Sequence, residues 1–199
     1  MNVFVLSAGR CGSSTFAEAC KHITNYTSGH ETRADKINDR LKYPSNHIEV
    51  DNQLSFMLGR LDEQYGNEGA YVHLKRDLCD TAKSWVKKEN MHARKGRIWF
   101  YKRQVILGKG KYDQMEVAKH YCKTVDKNIE KFLKDKNKKM TIEIENAGNK
   151  ADELFKMIKA KGDIDGFEDE FKKKHNSIES VNSFEVIKNK MRKKLEAWM

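Results

Sequence analysis

The feature that most constrains the fold stands at the start of the chain, where an apolar run leads through a short loop into a helical pattern. Residues 2–7 are predicted as a strand, residues 8–15 as the loop and residues 16–26 as the helix. The first N–H groups of a helix have no intrahelical partner, and the helix dipole adds partial positive charge there. Such a junction suits an anion, phosphate above all, although it is also the ordinary first unit of an α/β domain.

The side chains of the loop suit a phosphoryl or sulfuryl group. Gly9 and Gly12 let the backbone approach an anion closely. Arg10 adds a planar fork of N–H donors that matches phosphoryl or sulfuryl oxygens. Hydroxyl donors follow at three consecutive positions, Ser13, Ser14 and Thr15. No arginine follows Cys11 in a short loop, as a phosphatase would require, so we interpret Cys11 as a small residue beside the phosphates.

The loop differs from the two common nucleotide-binding motifs. A Walker A motif, G-x-x-x-x-G-K-[ST], requires a lysine, and none follows Gly12. The loop does not fit the dinucleotide pattern G-x-G-x-x-G either. An atypical P-loop kinase is therefore an alternative, but the sequence does not indicate magnesium-coupled phosphoryl transfer.

A second strand and helix carry another pair of anion-binding side chains. Residues 70–75 are predicted as a strand, Arg76 stands where that strand ends, and Ser84 lies about two turns into the next helix. An arginine at a strand end and a serine on the following helix can both reach one further phosphate group. The alternative is that Arg76 pairs with a nearby carboxylate such as Asp80.

Together the two segments resemble the sulfotransferase family. In that family the first motif, commonly P-K-S-G-T-T or P-R-S-G-T-T, binds the 5′-phosphosulfate of the donor 3′-phosphoadenosine 5′-phosphosulfate (PAPS). An arginine and a serine eight residues apart bind its 3′-phosphate. Residues 10–14, Arg-Cys-Gly-Ser-Ser, match the first motif, and Arg76 with Ser84 matches the second. The resemblance implies a PAPS-dependent transferase with a P-loop-like fold that needs no metal.

The resemblance extends more loosely down the chain and has departures. Residues 129–147 look like the family's late passage from helix to strand. Gly9 stands where proline is common, Cys11 where serine is common, and Thr15 where some members carry a tryptophan against the adenine. The R-K-G tail segment of the cytosolic hormone and phenol enzymes has no clear counterpart.

Sulfuryl transfer requires charge stabilisation on the leaving phosphate and a base for the acceptor proton. Arg10 is the candidate for the first role. His30 and Glu31, which follow the first helix, are the candidates for the second, since some family members use a glutamate at about this distance past the loop. Both are equally compatible with a surface loop. A later strand offers alternative bases, His47, Glu49 and Asp51.

Three further segments are candidates to border the cleft. Asp51 and Asn52 end a predicted strand, and they either line an acceptor pocket or cap the next helix. The stretch 87–97 is polar, basic and glycine-containing, which predicts a mobile loop over the site. His175 and Asn176 either close the nucleotide end of the cleft or end a helix.

The positive net charge has more than one interpretation. The net charge of +10 comes from lysines scattered over many segments, which favours a solubilising surface over a nucleic-acid interface. A non-catalytic basic module that binds nucleotides or nucleic acid stays as an alternative. The basic charge also suits a multiply anionic donor, and the partner we expect is a small-molecule or carbohydrate acceptor.

Cysteine usage and hydropathy indicate a cytoplasmic enzyme. The four cysteines show neither C-x-x-C pairing nor metal-ligand spacing, which is typical of reduced thiols. Residues 3–6 are too short for the apolar core of a signal peptide. No stretch approaches the roughly 20 apolar residues of a membrane span, so we expect no contact with a membrane.

Hydrophobic periodicity predicts a single α/β domain over residues 1–199. Strands are predicted at 2–7, 47–50, 70–75 and 140–145. Helices are predicted at 13–25, 53–65, 78–88, 98–107, 114–135, 148–160 and 183–197. Alternating strands and helices give a three-layer architecture, a mostly parallel sheet flanked by helices. Ligands then bind at the carboxyl ends of the strands, where both motifs fall.

Overall fold

The fold is built on a parallel sheet, seen in a computed structural model that describes residues 1–92, 96–108 and 110–173. The strands are β1 (Val3–Leu6), β2 (Thr27–His30), β3 (His47–Val50), β4 (Ala70–Lys75) and β5 (Lys139–Glu143). They form a five-stranded sheet in the spatial order β2-β3-β1-β4-β5. Every neighbouring pair in this sheet is parallel.

Helices connect the strands and cover the sheet. The α-helices of the described residues are α1 (Ser13–Ala19), α2 (Leu58–Tyr65), α3 (Leu78–His92), α4 (Arg97–Phe100), α5 (Gln114–Leu133), α6 (Ala151–Ile158) and α7 (Ile164–Glu170). Short 3-10 helices span Cys20–His22, Asn52–Phe56, Ile144–Asn146 and Gly148–Lys150, and a π-helical turn spans Tyr101–Val105.

The two faces of the sheet bury two separate apolar clusters, because successive side chains of a strand point to opposite faces. Val3 and Val5 of β1 pack in the cluster that includes apolar residues of α1, α6 and α7. Phe4 and Leu6 pack in the cluster that includes residues of α2, α3 and α5. This arrangement confirms the predicted three-layer α/β class.

Helix α5 shows why the strongest helical pattern was predictable. Asp113 accepts from Met115 N, and Glu116 accepts from Asp113 N, which forms a capping box at the helix start. Its apolar stripe is buried, as at Val117 and Ile129. The predicted bounds, 114–135, exceed the observed helix by two residues at one end.

Several predicted bounds were wrong. Strand β2 was missed, because Thr27–His30 is a polar, partly exposed edge strand with no apolar alternation. The helix predicted over 13–25 is shorter, since α1 ends at Ala19 and a 3-10 turn leads toward β2. The single helix predicted at 53–65 is interrupted at Met57, whose φ of −124° is not helical.

The later part of the chain differs in the same way. Strand β5 ends at Glu143 rather than at 145, and helix α7 was missed. The predicted mobile loop was wrong over residues 87–92, which continue α3, while 93–95 lie outside the described residues. The predicted helix at 183–197 and the pair His175–Asn176 also lie outside the described residues.

Three general properties follow from the described residues. All four cysteines are free thiols, three of them buried. Within the described ranges, no helix has the length and apolar character that a membrane crossing needs. The same ranges contain no group of three or more His, Cys, Asp or Glu side chains arranged to hold a metal ion.

Candidate functional site

The carboxyl ends of the five strands lie at one edge of the sheet, because the strands are parallel. The residues that follow the strands in chain order are the loop 7–12, Glu31, Asp51, Arg76 and Ile144. In open parallel sheets this is the edge at which ligands bind. Residues that are far apart in sequence therefore meet here.

The loop between β1 and α1 contains three residues in left-handed backbone conformation. The φ angle is 77° at Gly9, 63° at Arg10 and 81° at Gly12. A Cβ on Gly9 would lie 2.7 Å from Trp85 Cζ2, and one on Gly12 would lie 2.6 Å from Ile144 Cγ1. Both positions therefore require glycine, for conformation and for close packing. Successive amides in such a turn form a concave surface that binds anions.

The amides of this turn are available to a ligand. Gly9 N donates to Ser7 Oγ at 3.1 Å, and Phe16 N donates to Gly12 O at 3.0 Å. Between them, the amides of residues 10–15 have no hydrogen-bond acceptor within the described part of the chain. These N–H groups, which include those of Ser13, Ser14 and Thr15 in the first turn of α1, favour a negative charge in front of the loop.

Two guanidinium groups stand at the same edge. Arg10 Nε donates to Ser84 Oγ at 3.0 Å, which joins the glycine loop directly to α3. Burial and then the charge of Arg76 lower the pKa of the Arg10 guanidinium, which nonetheless stays protonated. Two guanidinium groups that repel each other in a half-buried site are stabilised by an anion that binds between or beside them.

Arg76 does not pair with Asp80, which was the alternative. Its Nε lies 3.9 Å from Glu145 Oε1, while Asp80 Oδ1 accepts from Lys83 Nζ at 3.2 Å. The side chains of Arg76 and Glu145 are 37% and 50% exposed. Ion pairs at such exposure contribute little stability, so Arg76 can exchange this partner for a ligand.

Cys11 is not a nucleophile in this environment. The residue is 2% exposed, and its Sγ donates to Gly9 O at 3.3 Å. Burial raises the pKa of the Cys11 thiol to about 12, which keeps it protonated at neutral pH. The sequence predicted a small residue beside the phosphates here, and the structure shows that this residue is buried.

His30 and Glu31 lie at the end of β2 and directly after it. His30 Nε2 lies 3.0 Å from Ser13 Oγ, within hydrogen-bond distance of the first turn of α1. Glu31 has a φ of 52°, and its backbone N donates to Val50 O at 3.2 Å. A left-handed non-glycine residue costs roughly 1–2 kcal/mol, and such strain clusters at functional sites. The strain at Glu31 marks the point where the chain leaves β2.

Asn52 connects Glu31 to a further arginine. Asn52 Nδ2 donates to Glu31 Oε1 at 2.7 Å, and Asn52 Oδ1 accepts from Arg97 Nη1 at 2.7 Å. The guanidinium carbon of Arg97 lies 5.3 Å from the ring centroid of Trp85 and 5.4 Å from that of Phe56. Asn52 therefore does not act as a helix cap with its side chain, but holds the base candidate and a stacked cation together.

Lys88 adds a further positive charge. Burial, followed by the charges of Arg10 and Arg97, lowers the pKa of its ammonium group, while Glu31 opposes that shift. Lys88 is thus electrostatically coupled to residues from three elements of the sheet edge. We refer to the charged and amide side chains described at this edge of the sheet as the edge cluster: Arg10, Glu31, Asn52, Arg76, Lys88 and Arg97.

The alternative bases on β3 are buried and fully engaged. Glu49 is 0% exposed, and its two carboxylate oxygens accept from Thr32 N at 2.7 Å, Thr32 Oγ1 at 2.6 Å and His47 Nε2 at 2.9 Å. His47 Nδ1 lies 2.8 Å from Thr27 Oγ1. Burial alone would raise the pKa of Glu49, but the hydrogen bonds from His47 and Thr32 outweigh it and lower the pKa.

Asp51 is engaged in the same manner. It is 0% exposed, pairs with the buried Arg40 and accepts from Gln53 N at 2.7 Å. It therefore caps the 3-10 helix that follows β3, one of the two roles that the sequence left open. We refer to the buried residues Arg40, His47, Glu49 and Asp51 as the inner cluster.

The sequence missed Trp85, Lys88 and Arg97 as members of the site. Trp85 Nε1 donates to Ala8 O at 3.2 Å and packs beneath the glycine loop. Lys88 and Arg97 lie in the stretch 87–97, whose basic composition was noted but interpreted as a mobile loop. The sequence did contain one signal for two of them: Trp85 and Lys88 follow Ser84 within about one turn of the same predicted helix.

The fold has a counterpart among solved structures. The sulfotransferase domain from the curacin biosynthetic pathway matches 81% of this chain and 74% of its own, with a TM-score of 0.55 and 14% sequence identity. At this identity the likeness shows the fold alone, a sulfotransferase-like α/β arrangement. No protein-family model matches the chain, and neither does any curated protein sequence.

Proposed function

We propose that the protein is a sulfotransferase that takes the sulfuryl group from PAPS. The observation that carries the proposal is the 3.0 Å hydrogen bond from Arg10 to Ser84, which joins the two predicted anion-binding segments. A nucleotide with an anionic group at each end would contact both segments at once. The likeness in fold to a sulfotransferase domain supports the same function.

The residues fit the two ends of this donor. The 5′-phosphosulfate would face the amides of residues 10–15, the Arg10 guanidinium and the hydroxyls of the first turn of α1. The 3′-phosphate would face Arg76 and Ser84. Since Ser84 Oγ accepts from Arg10, its own hydroxyl proton can be donated to a phosphate oxygen.

The chemistry needs a base and a stabilised leaving group. A new S–O bond forms to an acceptor hydroxyl, or an S–N bond to an acceptor amine; the S–O bond to the 5′-phosphate breaks, and adenosine 3′,5′-bisphosphate leaves. Arg10 and the loop amides stabilise the charge that grows on that phosphate. Glu31 takes the proton of the acceptor hydroxyl or amine. Asn52 holds Glu31 Oε1 at 2.7 Å, which orients the carboxylate so that Oε2 can accept the proton.

A kinase is the second candidate enzyme, and two observations disfavour it. No lysine follows Gly12, so the usual contact to transferred phosphates is missing from the sequence. A P-loop kinase also needs a carboxylate for magnesium at the end of a neighbouring strand. Asp51 has that place after β3, but it is 0% exposed and paired with Arg40.

Thermal shift with defined nucleotides tests the donor. We expect adenosine 3′,5′-bisphosphate, without magnesium, to stabilise the fold by roughly 2.7 kcal/mol at about 100 times its dissociation constant. ATP with magnesium should stabilise it far less, because the second anion site binds a 3′-phosphate that ATP lacks. Equal or greater stabilisation by magnesium-ATP would contradict the sulfotransferase proposal.

The partner and the compartment are part of the same proposal. We expect a small-molecule or carbohydrate acceptor in the cytoplasm, the latter because the four cysteines are free thiols. A non-catalytic nucleic-acid-binding module would behave differently. It would bind generic nucleic acid with a steep salt dependence, and the bisphosphate would not stabilise it.

A further inference from the structure

The edge cluster contains more cationic side chains than the proposed donor contacts use, and this inference rests on the proposed function. Arg10 and Arg76 are assigned to the two anionic ends of the donor. Arg97 has no such assignment, yet the described structure positions it as firmly as the other two. It starts α4 and reaches back over α3 to the sheet edge.

Arg97 is held entirely by neutral groups. Its Nη1 donates to Asn52 Oδ1 at 2.7 Å and to the Tyr121 hydroxyl at 3.3 Å. No carboxylate of the described residues forms an ion pair with it. A guanidinium has five N–H donors, so these two bonds leave the donors of Nε and Nη2. That edge is the fork that pairs with two oxygens of a carboxylate, sulfate or phosphate.

The position of Arg97 indicates whether an anion bound to it would belong to the donor or to the acceptor. The same Asn52 side chain holds Arg97 on one side and Glu31 on the other, both at 2.7 Å. A group bound by Arg97 therefore lies beside the base candidate. The base faces the acceptor, and the donor's anionic ends are at the glycine loop and at Arg76.

Aromatic rings form the walls around this fork. The Arg97 guanidinium lies 5.3 Å from the Trp85 ring and 5.4 Å from the Phe56 ring. Trp85 is buried, whereas Phe56 is 58% exposed although it is a large apolar side chain. An exposed aromatic ring, Phe56, therefore lies beside the Arg97 guanidinium, where it can contact the flat face of a sugar or an aromatic ring.

We propose that Arg97 selects an anionic acceptor, by binding a carboxylate or sulfate group next to the hydroxyl that faces Glu31. The lowered pKa of Lys88, caused by burial and then by Arg10 and Arg97, is consistent with excess positive charge here. The acceptor class is therefore a small hydroxylated molecule with an oxyanion, such as a uronic acid or a sulfated sugar, rather than a neutral alcohol.

Binding to the protein saturated with adenosine 3′,5′-bisphosphate tests this proposal without turnover. The probes are 4-nitrophenyl β-D-glucoside, its 6-sulfate and 4-nitrophenyl β-D-glucuronide, which differ only at one sugar carbon. A second pair is 4-hydroxyphenylacetate and its amide. Dissociation constants are measured by calorimetry for the wild type, Arg97→Gln and Arg97→Lys. Arg103→Gln is the matched control, because Arg103 is an exposed arginine that follows on the same segment.

We expect at least one anionic probe to bind the wild type about tenfold or more tightly than its neutral partner, the range for a charge-assisted hydrogen bond. Arg97→Gln should abolish that preference, Arg97→Lys should keep part of it, and Arg103→Gln should keep all of it. Whether the sulfated or the carboxylated probe gains more identifies which oxyanion the site takes.

The contrary results are distinct. If no anionic probe binds better than its neutral partner, or if Arg103→Gln reduces the preference as much as Arg97→Gln, the proposal is wrong. If Arg97→Gln instead weakens the bisphosphate itself tenfold, Arg97 belongs to the donor site. If the bisphosphate does not bind the wild type at all, it is the proposed function that fails, since an anion preference at Arg97 can persist without it.

Discussion

The edge cluster and the inner cluster both combine carboxylates with arginines, yet they differ in what their carboxylates can do. Glu49 has both oxygens hydrogen-bonded and is 0% exposed. Glu31 is half-buried, and Asn52 holds one of its oxygens. A buried carboxylate whose two oxygens both accept hydrogen bonds stabilises the scaffold. A carboxylate that is held by one oxygen and has the other oxygen free of such bonds can accept a proton. Burial and hydrogen bonding of the carboxylate, rather than residue type, therefore separate the two roles.

The backbone differs between the two regions as well. Arg10 and Glu31 both adopt positive φ, at 63° and 52°, and both lie in the edge cluster. The inner residues His47 and Glu49 lie in the regular strand β3. Strained conformations persist only where the surrounding structure enforces them. Two residues of the edge cluster therefore adopt a positive φ, and none of the four residues of the inner cluster does.

The largest expected effect is on Glu31. We expect Glu31→Gln to bind adenosine 3′,5′-bisphosphate normally and to lose roughly 10²–10⁴ in turnover, the range for removal of a general base. Turnover is measured with radiolabelled donor and an acceptor found by screening. Near-full turnover in Glu31→Gln, together with loss of turnover on substitution of His30 or His47, would make a histidine the base.

Substitutions in the inner cluster should instead lower the stability of the fold. Asp51→Ala leaves the buried Arg40 without its carboxylate, so we expect about 3–5 kcal/mol less stability toward urea. Asp80→Ala is the control, since Asp80 is exposed and pairs only with Lys83 within the described residues; its change should stay within about 0.5 kcal/mol. An Asp51→Ala variant as stable as Asp80→Ala would remove the distinction between the clusters.

Substitution of Arg76 tests the proposed second anion site. If Arg76 binds the 3′-phosphate, Arg76→Ala should remove most of the preference for PAPS over adenosine 5′-phosphosulfate, a loss of about 1.5–3 kcal/mol. Ser84→Ala should lose part of it, and Lys83→Ala, an exposed neighbour, none. A lower melting temperature with unchanged ligand preference would show instead that Arg76 serves only its pair with Glu145.

Glu49 should make stability depend on pH. Its folded-state pKa lies below the ordinary value of 4.5, because hydrogen bonds from His47 and Thr32 outweigh burial. The stability it contributes is therefore complete above that ordinary value and is lost as the pH falls through the lower folded-state pKa. We expect Glu49→Gln to cost about 1–3 kcal/mol at neutral pH and to flatten the acid limb of the stability profile. An unchanged acid limb would argue against the lowered pKa.

The parts of the fold that sequence predicted best are those with strong local patterns. The strands 47–50 and 70–75 were placed at their observed bounds: Ile48 and Val50 alternate with polar residues in the first, and the second is mostly apolar. The glycine loop was recognisable because Gly9 and Gly12 stand between an apolar strand and a helical pattern, and the structure gives both a positive φ. Strand β2 was not predictable, since Thr27–His30 is polar and is a strand only because β3 pairs with it.

The candidate site shows the same limit. Arg10, Arg76 and Ser84 followed from motif spacing, which is local information. The contact from Arg97 to Asn52 joins positions 45 residues apart, and no spacing rule connects them. The choice among Glu31, Glu49 and Asp51 likewise depended on burial, which tertiary packing decides.

The smallest expected effect concerns His30, which belongs to neither cluster. Its ring contacts Ser13 Oγ at 3.0 Å, so it supports the first turn of α1, but it is exposed and ends an edge strand. We expect His30→Ala to reduce turnover by less than about tenfold, since one exposed hydrogen bond contributes only about 0.5–1.5 kcal/mol. His30→Asn, which can still bond Ser13, should recover part of that loss. A loss in His30→Ala as large as in Glu31→Gln would mean that both residues act on the same proton, and the base would then be a pair rather than a single carboxylate.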